Sequence, residues 1–308
     1  MEVRLNLSAT MCALAGGILW TTASWAAFPA ASSPAQAAAV VSVATGPPFV
    51  LIRGDVLYAA TRGVTVSPGD LIESGSGGLL VLEFREGESI GATVEMGPAT
   101  RIFWRNRPDG TALALLAGWI KVDTTSSSQG LVFGSEGPRL GATSGAGTYV
   151  AHVAADRDEL FHESGALRFW TNDSAGTASG AVVSSRPSEL VVRVGAAPPE
   201  SRIGPGSDFV RRLPPEFLDP VPLGIAAKLP DASEPQRLRA VAYEDVEAWL
   251  TAPRDWRRGF VARFRPRLKD RSFRRALAAH LRAHPEWAPV LHPAPAPHQP
   301  GEPMRGER

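Results

Sequence analysis

The chain has 308 residues, of which 44% are hydrophobic and 20% charged, and this composition excludes a wholly disordered protein. Its net charge of +1 does not by itself favour any class of partner. The 27 prolines and 30 glycines predict many turns, and the length allows about two domains.

The first residues predict an export signal. Arg4 precedes an apolar run over residues 11–20, and small residues around Ala26 provide a cleavage point. We therefore predict a signal peptide over residues 1–26, with cleavage after residue 37 as the alternative, and a disordered leader over residues 27–40. The apolar run is shorter than the roughly 20 residues of a membrane-spanning helix. Retention as an N-terminal anchor is therefore the second interpretation.

Cysteine usage bounds the chemistry further. Cys12 is the only cysteine and lies inside the predicted signal peptide, so the exported chain is expected to contain none. Disulfides, thiolate catalysis and zinc–cysteine sites are then excluded together. A cysteine-free exported chain favours a bacterial periplasm or cell surface.

Residues 41–195 have the pattern of short β-strands. Apolar or alternating runs, such as residues 79–84 and 112–122, are bounded by Gly, Pro, Asp and Ser. Corners at residues 86–87 and 109–110 favour tight hairpins, since glycine adopts positive φ at little cost. The pattern predicts a mainly β fold, an antiparallel sandwich or roll of short hairpins.

The composition changes after residue 195. Prolines interrupt residues 196–235, which we interpret as a connector. A small helical region is predicted over residues 236–288, followed by a disordered tail over residues 289–308. Asp270 is a predicted helix N-cap. Apolar side chains recur every fourth residue on two predicted helices, at Trp256, Phe260 and Phe264 and at Phe273, Leu277 and Leu281.

Turn and core residues recur in a fixed order through the β region. They are Ser67-Pro68-Gly69-Asp70, Ser74-Gly75, Leu80-Val81-Leu82, Glu86-Gly87, Pro98-Ala99, residues 116–122, Gly147-Thr148-Tyr149-Val150 and residues 163–167. This ordered set resembles the periplasmic domain of the FecR family, iron-dicitrate-type sensors that relay surface signals to a sigma factor. The resemblance covers residues 49–194 and implies the β fold and an envelope location.

The same resemblance has a limit. Signalling members resemble one another in having a cytoplasmic domain that binds the sigma factor, followed by a membrane span. Here about ten residues precede the apolar run. We therefore expect a FecR-like β-domain that lacks this signalling output.

Two groups of side chains are candidates for a catalytic or metal site. His280 and His284 are four apart, but no glutamate follows the first and no third ligand is placed by spacing, so surface histidines are favoured. The second group consists of acidic residues that lack the spacing of a calcium-binding loop, so we interpret it as a solvated turn. Its members are Asp156, Asp158, Glu159 and Glu163, with His152 and His162 nearby. The sequence thus predicts no catalytic residue, metal or cofactor.

The arginines of the helical region are the strongest signal for binding. Residues 236–282 contain thirteen Lys or Arg against five Asp or Glu. Such a surface favours anionic membrane headgroups or an envelope polysaccharide. The interpretation that we favour is that the aromatic stripe packs on the β-domain and the arginines are only solvated. The candidate binding residues are Arg257, Arg258, Arg265, Arg267, Arg274 and Arg275, and a second patch is Trp104 with Arg101, Arg105 and Arg107.

These features predict a non-enzymatic envelope protein, periplasmic or at the cell surface, that binds or scaffolds another envelope protein or a glycan. An N-terminally anchored, FecR-type regulator of transmembrane signalling is the alternative, and an envelope enzyme using residues 156–163 is a remote one. Nucleic acid is a poor candidate partner for an exported chain. The sequence leaves the ligand and the oligomeric state open.

Overall fold

The computed structural model describes residues 38–46, 48–86, 89–107, 110–124, 133–219, 221–222, 224–225 and 233–293, which all belong to one compact unit. The predicted signal peptide and most of the predicted leader and tail lie outside these residues. At both ends the described fold extends beyond its predicted bounds. Strand β1 begins at Ala38, and Leu291, placed in the tail by prediction, is buried.

The described residues form sixteen strands, so the predicted mainly β fold is confirmed. The strands are β1 Ala38–Thr45, β2 Val50–Arg53, β3 Val56–Ala59, β4 Thr65–Val66, β5 Leu71–Glu73, β6 Leu79–Glu86, β7 Ser89–Met96, β8 Arg101–Arg107, β9 Gly110–Thr124, β10 Phe133–Glu136, β11 Leu140–Val153, β12 Arg157–Thr171, β13 Val183–Ser185, β14 Glu189–Val194, β15 Glu200–Ile203 and β16 Arg237–Ala240.

Strand β9 joins two layers of sheet. Its first half pairs with β8 in the back layer, which continues through β5, β2 and β3 to β16. Its second half pairs with β7 and β11 in the front layer, which includes β6 and β1. The strand bends at Gly118, where φ is +87° and a Cβ would lie 2.4 Å from the Thr100 hydroxyl. Most pairs are antiparallel as predicted, but β9 and β10 run parallel, which makes the sheet mixed.

Buried side chains lie on both faces of each layer. In the back layer Leu51 belongs to the core between the layers, whereas Ile52 belongs to a second core under the helices. In the front layer Leu80 and Leu82 face the central core, whereas Val81 faces a third core. This follows from the alternation of side chains along a strand. Continuous apolar runs are therefore strands covered on two sides.

The helices between residues 243 and 291 cover the outer face of the back layer. Strand β16 pairs with β3, and the predicted stripes of Phe260, Phe264, Phe273 and Leu277 pack on Ile52, Leu57 and Leu71. The prediction that an aromatic stripe packs on the β-domain is confirmed. The helices are α1 Gly206–Arg212, α2 Tyr243–Leu250, α3 Phe260–Phe264, α4 Arg271–Ala279 and α5 Ala288–Leu291, with 3-10 turns at Pro215–Leu218, Arg265–Lys269 and Pro285–Trp287.

Local chemistry sets the helix bounds. The Asp270 carboxylate accepts hydrogen bonds from the Ser272 and Phe273 backbone N–H groups, which confirms the predicted N-cap. Helix α3 ends at Phe264, where the chain tightens into a 3-10 turn that contains Pro266. Among the helices described, none is long and apolar enough to cross a membrane.

The described part of the segment predicted as a connector is packed on the sheet. It contains strand β15 and helix α1, and Phe209 and Phe217 are each 1% exposed. These two rings pack beside Trp119 on the outer face of the front layer. The prolines punctuate this segment without preventing it from forming a third hydrophobic core.

Candidate functional site

Helix α4 presents three arginines on one exposed face. Phe273 and Leu277 are buried, and Arg271, Arg274 and Arg275 occupy the opposite, exposed side. We call these three residues the arginine face. None of them forms an ion pair with a described residue. Their positive charge is therefore uncompensated by the part of the chain that the structure covers.

Other predicted binding arginines have structural roles. The Arg267 guanidinium donates to the Val241 carbonyl at 2.8 Å and to Asp270 at 2.8 Å. The Arg257 guanidinium donates to the carbonyls of Leu250 at 2.6 Å and Ala283 at 3.0 Å. Both side chains hold helical segments together, so they are not free to bind a partner.

Arg263, which was not among the predicted binding residues, donates to more backbone carbonyls than Arg257 or Arg267 does. Its guanidinium donates to the carbonyls of Ile52, Gly54 and Gly69 at 2.6 to 2.8 Å. Burial lowers its pKa to about 10, although Asp70 and Asp55 oppose the shift. This side chain fixes helix α3 to the turns of the back layer.

A groove of about 480 Å³ lies beside the helical region. Gly176 lies between two of its lining residues; its φ is +81°, and a Cβ there would lie 2.6 Å from Pro253. The Ala175 carbonyl accepts a 2.9 Å bond from the Asp255 backbone, which joins the turn to the helical region. The groove is lined by Ala175, Thr177, Arg254, Asp255, Arg257, Arg258 and Glu286.

The charges in this groove favour an acidic ligand. Asp255 accepts from Arg105 at 2.8 Å and from Arg258 at 2.9 Å, and Glu286 lies 3.1 Å from Arg257. Arg254 is exposed and has no ion-pair partner among the residues that the structure describes. The groove thus carries one cation more than its two carboxylates can neutralise. Of its two candidate residues, Arg258 is 82% exposed and Arg257 is largely buried.

The prediction of an exposed aromatic patch at Trp104 is wrong. Trp104 is 1% exposed and packs edge-on against Phe84, with ring centroids 4.9 Å apart. Arg101 pairs with Glu73 at 3.2 Å, and Arg105 pairs with Glu136 at 2.6 Å. Arg107 belongs to β8, and its side chain lies outside the described part. The alternation of strand β8 sends Trp104 into the core and its arginine neighbours to the other face.

The acidic group at residues 156–163 is divided by the alternation of strand β12. Asp158 is buried and pairs with Arg139 at 3.0 Å. Burial raises its pKa, while bonds from Arg139 and Leu140 oppose the shift. Glu163 instead lies 3.7 Å from Lys121. Asp156 is exposed in the preceding turn.

Glu159 belongs to a separate arrangement on the front layer. Its carboxylate accepts from Arg212 at 2.9 Å through each oxygen and lies 2.8 Å from His152 Nδ1. Burial alone would raise its pKa, but these bonds lower it to about 2. The His152 ring stacks on Trp119 at 3.8 Å, so the arrangement fixes helix α1 to the sheet.

The histidines do not converge on a metal. His280 is about half exposed and lies 3.3 Å from Glu247. His284 is fully buried, with its Nε2 atom 3.3 Å from the Leu277 carbonyl, so the prediction that both are surface residues is wrong for His284. Within the described ranges, no group of three or more His, Cys, Asp or Glu side chains could hold a metal ion.

Comparison with known proteins does not identify a family for this chain. No family model matches the chain, and no curated protein matches it. Two crystal structures of a proposed anti-sigma factor from Parabacteroides distasonis, at 2.50 and 1.65 Å resolution, are similar with a TM-score of 0.36 and 9% identity each. The similarity covers 44% of this chain and 59% of that protein, so the chain spans less than two thirds of its length. At these values it carries no inference about function.

Proposed function

We propose that this chain is a non-enzymatic protein of a bacterial envelope whose FecR-like β-domain displays a basic helical surface for an acidic envelope protein or glycan. The observation that supports the proposal is the arginine face of helix α4. Its three guanidinium groups are exposed and have no carboxylate partner among the described residues. The groove beside Arg254 and Arg258 adds a second site of positive charge.

The helix presents these charges in a fixed geometry. Phe273 and Leu277 are 1% and 0% exposed in the core against the back layer, and the Asp270 cap holds the first turn. A rigid helix loses less conformational entropy on binding than a flexible basic tail would. Complementary charge also steers a partner and raises its association rate. The buried Phe273 and Leu277 therefore hold the arginine face in a fixed position.

The test is binding to a polyanion. We expect the exported protein to bind dextran sulfate and not neutral dextran, with an affinity that falls as salt rises. The triple variant Arg271→Glu, Arg274→Glu, Arg275→Glu should lose this binding. The matched control reverses three exposed arginines of the β-domain and changes the net charge equally; it comprises Arg62→Glu, Arg168→Glu and Arg186→Glu.

The control separates a local site from a general charge effect. Retained binding in the control and loss in the arginine-face variant would support the proposal. Equal loss in both would show that only net charge matters, and unchanged binding in both would contradict the role of helix α4. Capture from envelope extracts with the same three proteins then separates acidic protein partners from glycans.

A further inference from the structure

Strand β15 is an open edge of the sheet. Glu200–Ile203 pairs with β14 on one side, and no described strand lies on its other side. All four residues are exposed, including Ile203, which is 70% exposed. An exposed edge with an apolar side chain is a template for pairing with another strand.

The register shows which backbone groups are free. Arg202 lies opposite Leu190 and Ser201 opposite Val191, and the Gly204 N–H donates to the Ser188 carbonyl at 2.7 Å. Alternate residues of an antiparallel strand point their backbone groups to the same side. The backbone groups of Glu200 and Arg202 therefore form the hydrogen bonds to β14. The N–H and C=O groups of Ser201 and Ile203 point away from β14, toward the open side of the strand.

The charges along β15 are complementary to those of a second, antiparallel copy of the same strand. In an antiparallel pair of two β15 strands centred on Ser201, Glu200 of each copy lies opposite Arg202 of the other. Opposite charges in directly facing positions stabilise a strand pair, and like charges destabilise it. A shift by two residues in either direction would place Glu200 against Glu200 or Arg202 against Arg202. The charge pattern thus selects the centred register.

We propose that two copies of this chain pair antiparallel through β15, on a two-fold axis at Ser201. The pair would have four backbone hydrogen bonds. Two join the Ser201 N–H and C=O groups of the copies, and two run from each Ile203 N–H to the Pro199 carbonyl of the other copy. Pro199 lacks an N–H group and falls at the end of the ladder, where only one further bond per strand is lost.

This isologous contact is small. A four-residue strand pair lies at the lower end of specific interfaces, so we expect dimers at concentrations of roughly 10–100 µM. Sedimentation velocity of the protein purified after export, from about 1 to 200 µM, measures the equilibrium. Edge variants should leave dextran sulfate binding unchanged in the monomer, which separates this proposal from the function proposed above.

Charge reversal is the first test. Glu200→Arg turns two attractive pairs into repulsive ones, and the dissociation constant should rise roughly 10- to 30-fold. Arg202→Glu should act in the same direction. The double variant Glu200→Arg, Arg202→Glu exchanges the charges and restores complementarity, so it should dimerise like the unmodified chain. Weak association in the double variant would overturn the proposed register.

Removal of the central backbone donor is the second test. Ser201→Pro deletes the N–H at the two-fold axis and should abolish the dimer. Ser201→Ala keeps that N–H and loses only the hydroxyl, so it is the matched control and should dimerise. A monomer at all concentrations would refute the proposal, as would a dimer indifferent to every edge variant. Edge pairing to another chain would also refute it.

Discussion

Glu95 makes the stability of the fold depend on pH. This carboxylate on strand β7 is 6% exposed, and its Oε2 atom has no hydrogen-bond partner among the residues that the structure describes. Lys121 lies opposite it in the register, but the Lys121 ammonium donates to the Phe217 carbonyl at 2.7 Å and lies 3.7 Å from Glu163. Burial raises the pKa of Glu95 to about 7; Lys121 opposes the shift, and Glu163 and Asp123 add to it.

The direction in which stability changes with pH follows from the uptake of a proton on folding. A glutamate with a pKa of 4.5 in the unfolded chain and about 7 in the folded one binds more protons when folded. Its stabilisation is full below pH 4.5 and is lost as pH rises to about 7. A shift of this size corresponds to about 3 kcal/mol of unfolding free energy, at about 1.4 kcal/mol per pKa unit.

The perturbation is Glu95→Gln, which keeps the shape and removes the titration. Urea unfolding from pH 4.5 to 8.5 should show equal stability at the acid end and a variant more stable by about 2–3 kcal/mol at pH 8. Glu244→Gln on the exposed side of helix α2 is the control and should follow the unmodified chain at every pH. A constant difference between Glu95→Gln and the unmodified chain would refute the reasoning.

Three further outcomes follow from the structure. Arg263→Met leaves three carbonyls without their donor and should lower the unfolding free energy by roughly 3–5 kcal/mol, whereas the exposed Arg274→Met should change it little; urea titration compares them. Asp270→Ala removes the cap of α4 and should cost about 1 kcal/mol, seen as a lower Tm. N-terminal sequencing of the exported form should give a start at residue 27 or 38. Both starts precede the buried Ala39 of β1, and an intact N-terminus would favour the anchored regulator.

Local patterns predicted the elements of the fold well. Glycine corners and short apolar runs gave the mainly β fold, and the spacing of Phe273 and Leu277 gave the buried side of α4. Both depend on neighbours within a few residues. The same alternation along β8 carried the signal that Trp104 and Arg105 point to opposite faces. The arginines that flank the tryptophan in sequence therefore do not flank it in space.

Long-range partners could not be predicted. Arg263 donates to carbonyls about 200 residues earlier in the chain, and nothing in the residues around it distinguishes it from the exposed Arg274. Backbone carbonyls are present at every position, so sequence does not show which of them a cation will reach. The open edge at β15 was missed for a related reason. Whether a strand is internal or terminal depends on the whole order of the sheet.

Most carboxylates of the helical region are already paired within the fold. Residues 236–282 hold five acidic side chains, and four of them have a cationic or histidine partner within the fold. Asp245 pairs with Arg239, Glu247 with His280, Asp255 with Arg105 and Arg258, and Asp270 with Arg267. Packing of the helices on the sheet therefore uses the available carboxylates. The arginine face is left without a carboxylate partner among the described residues.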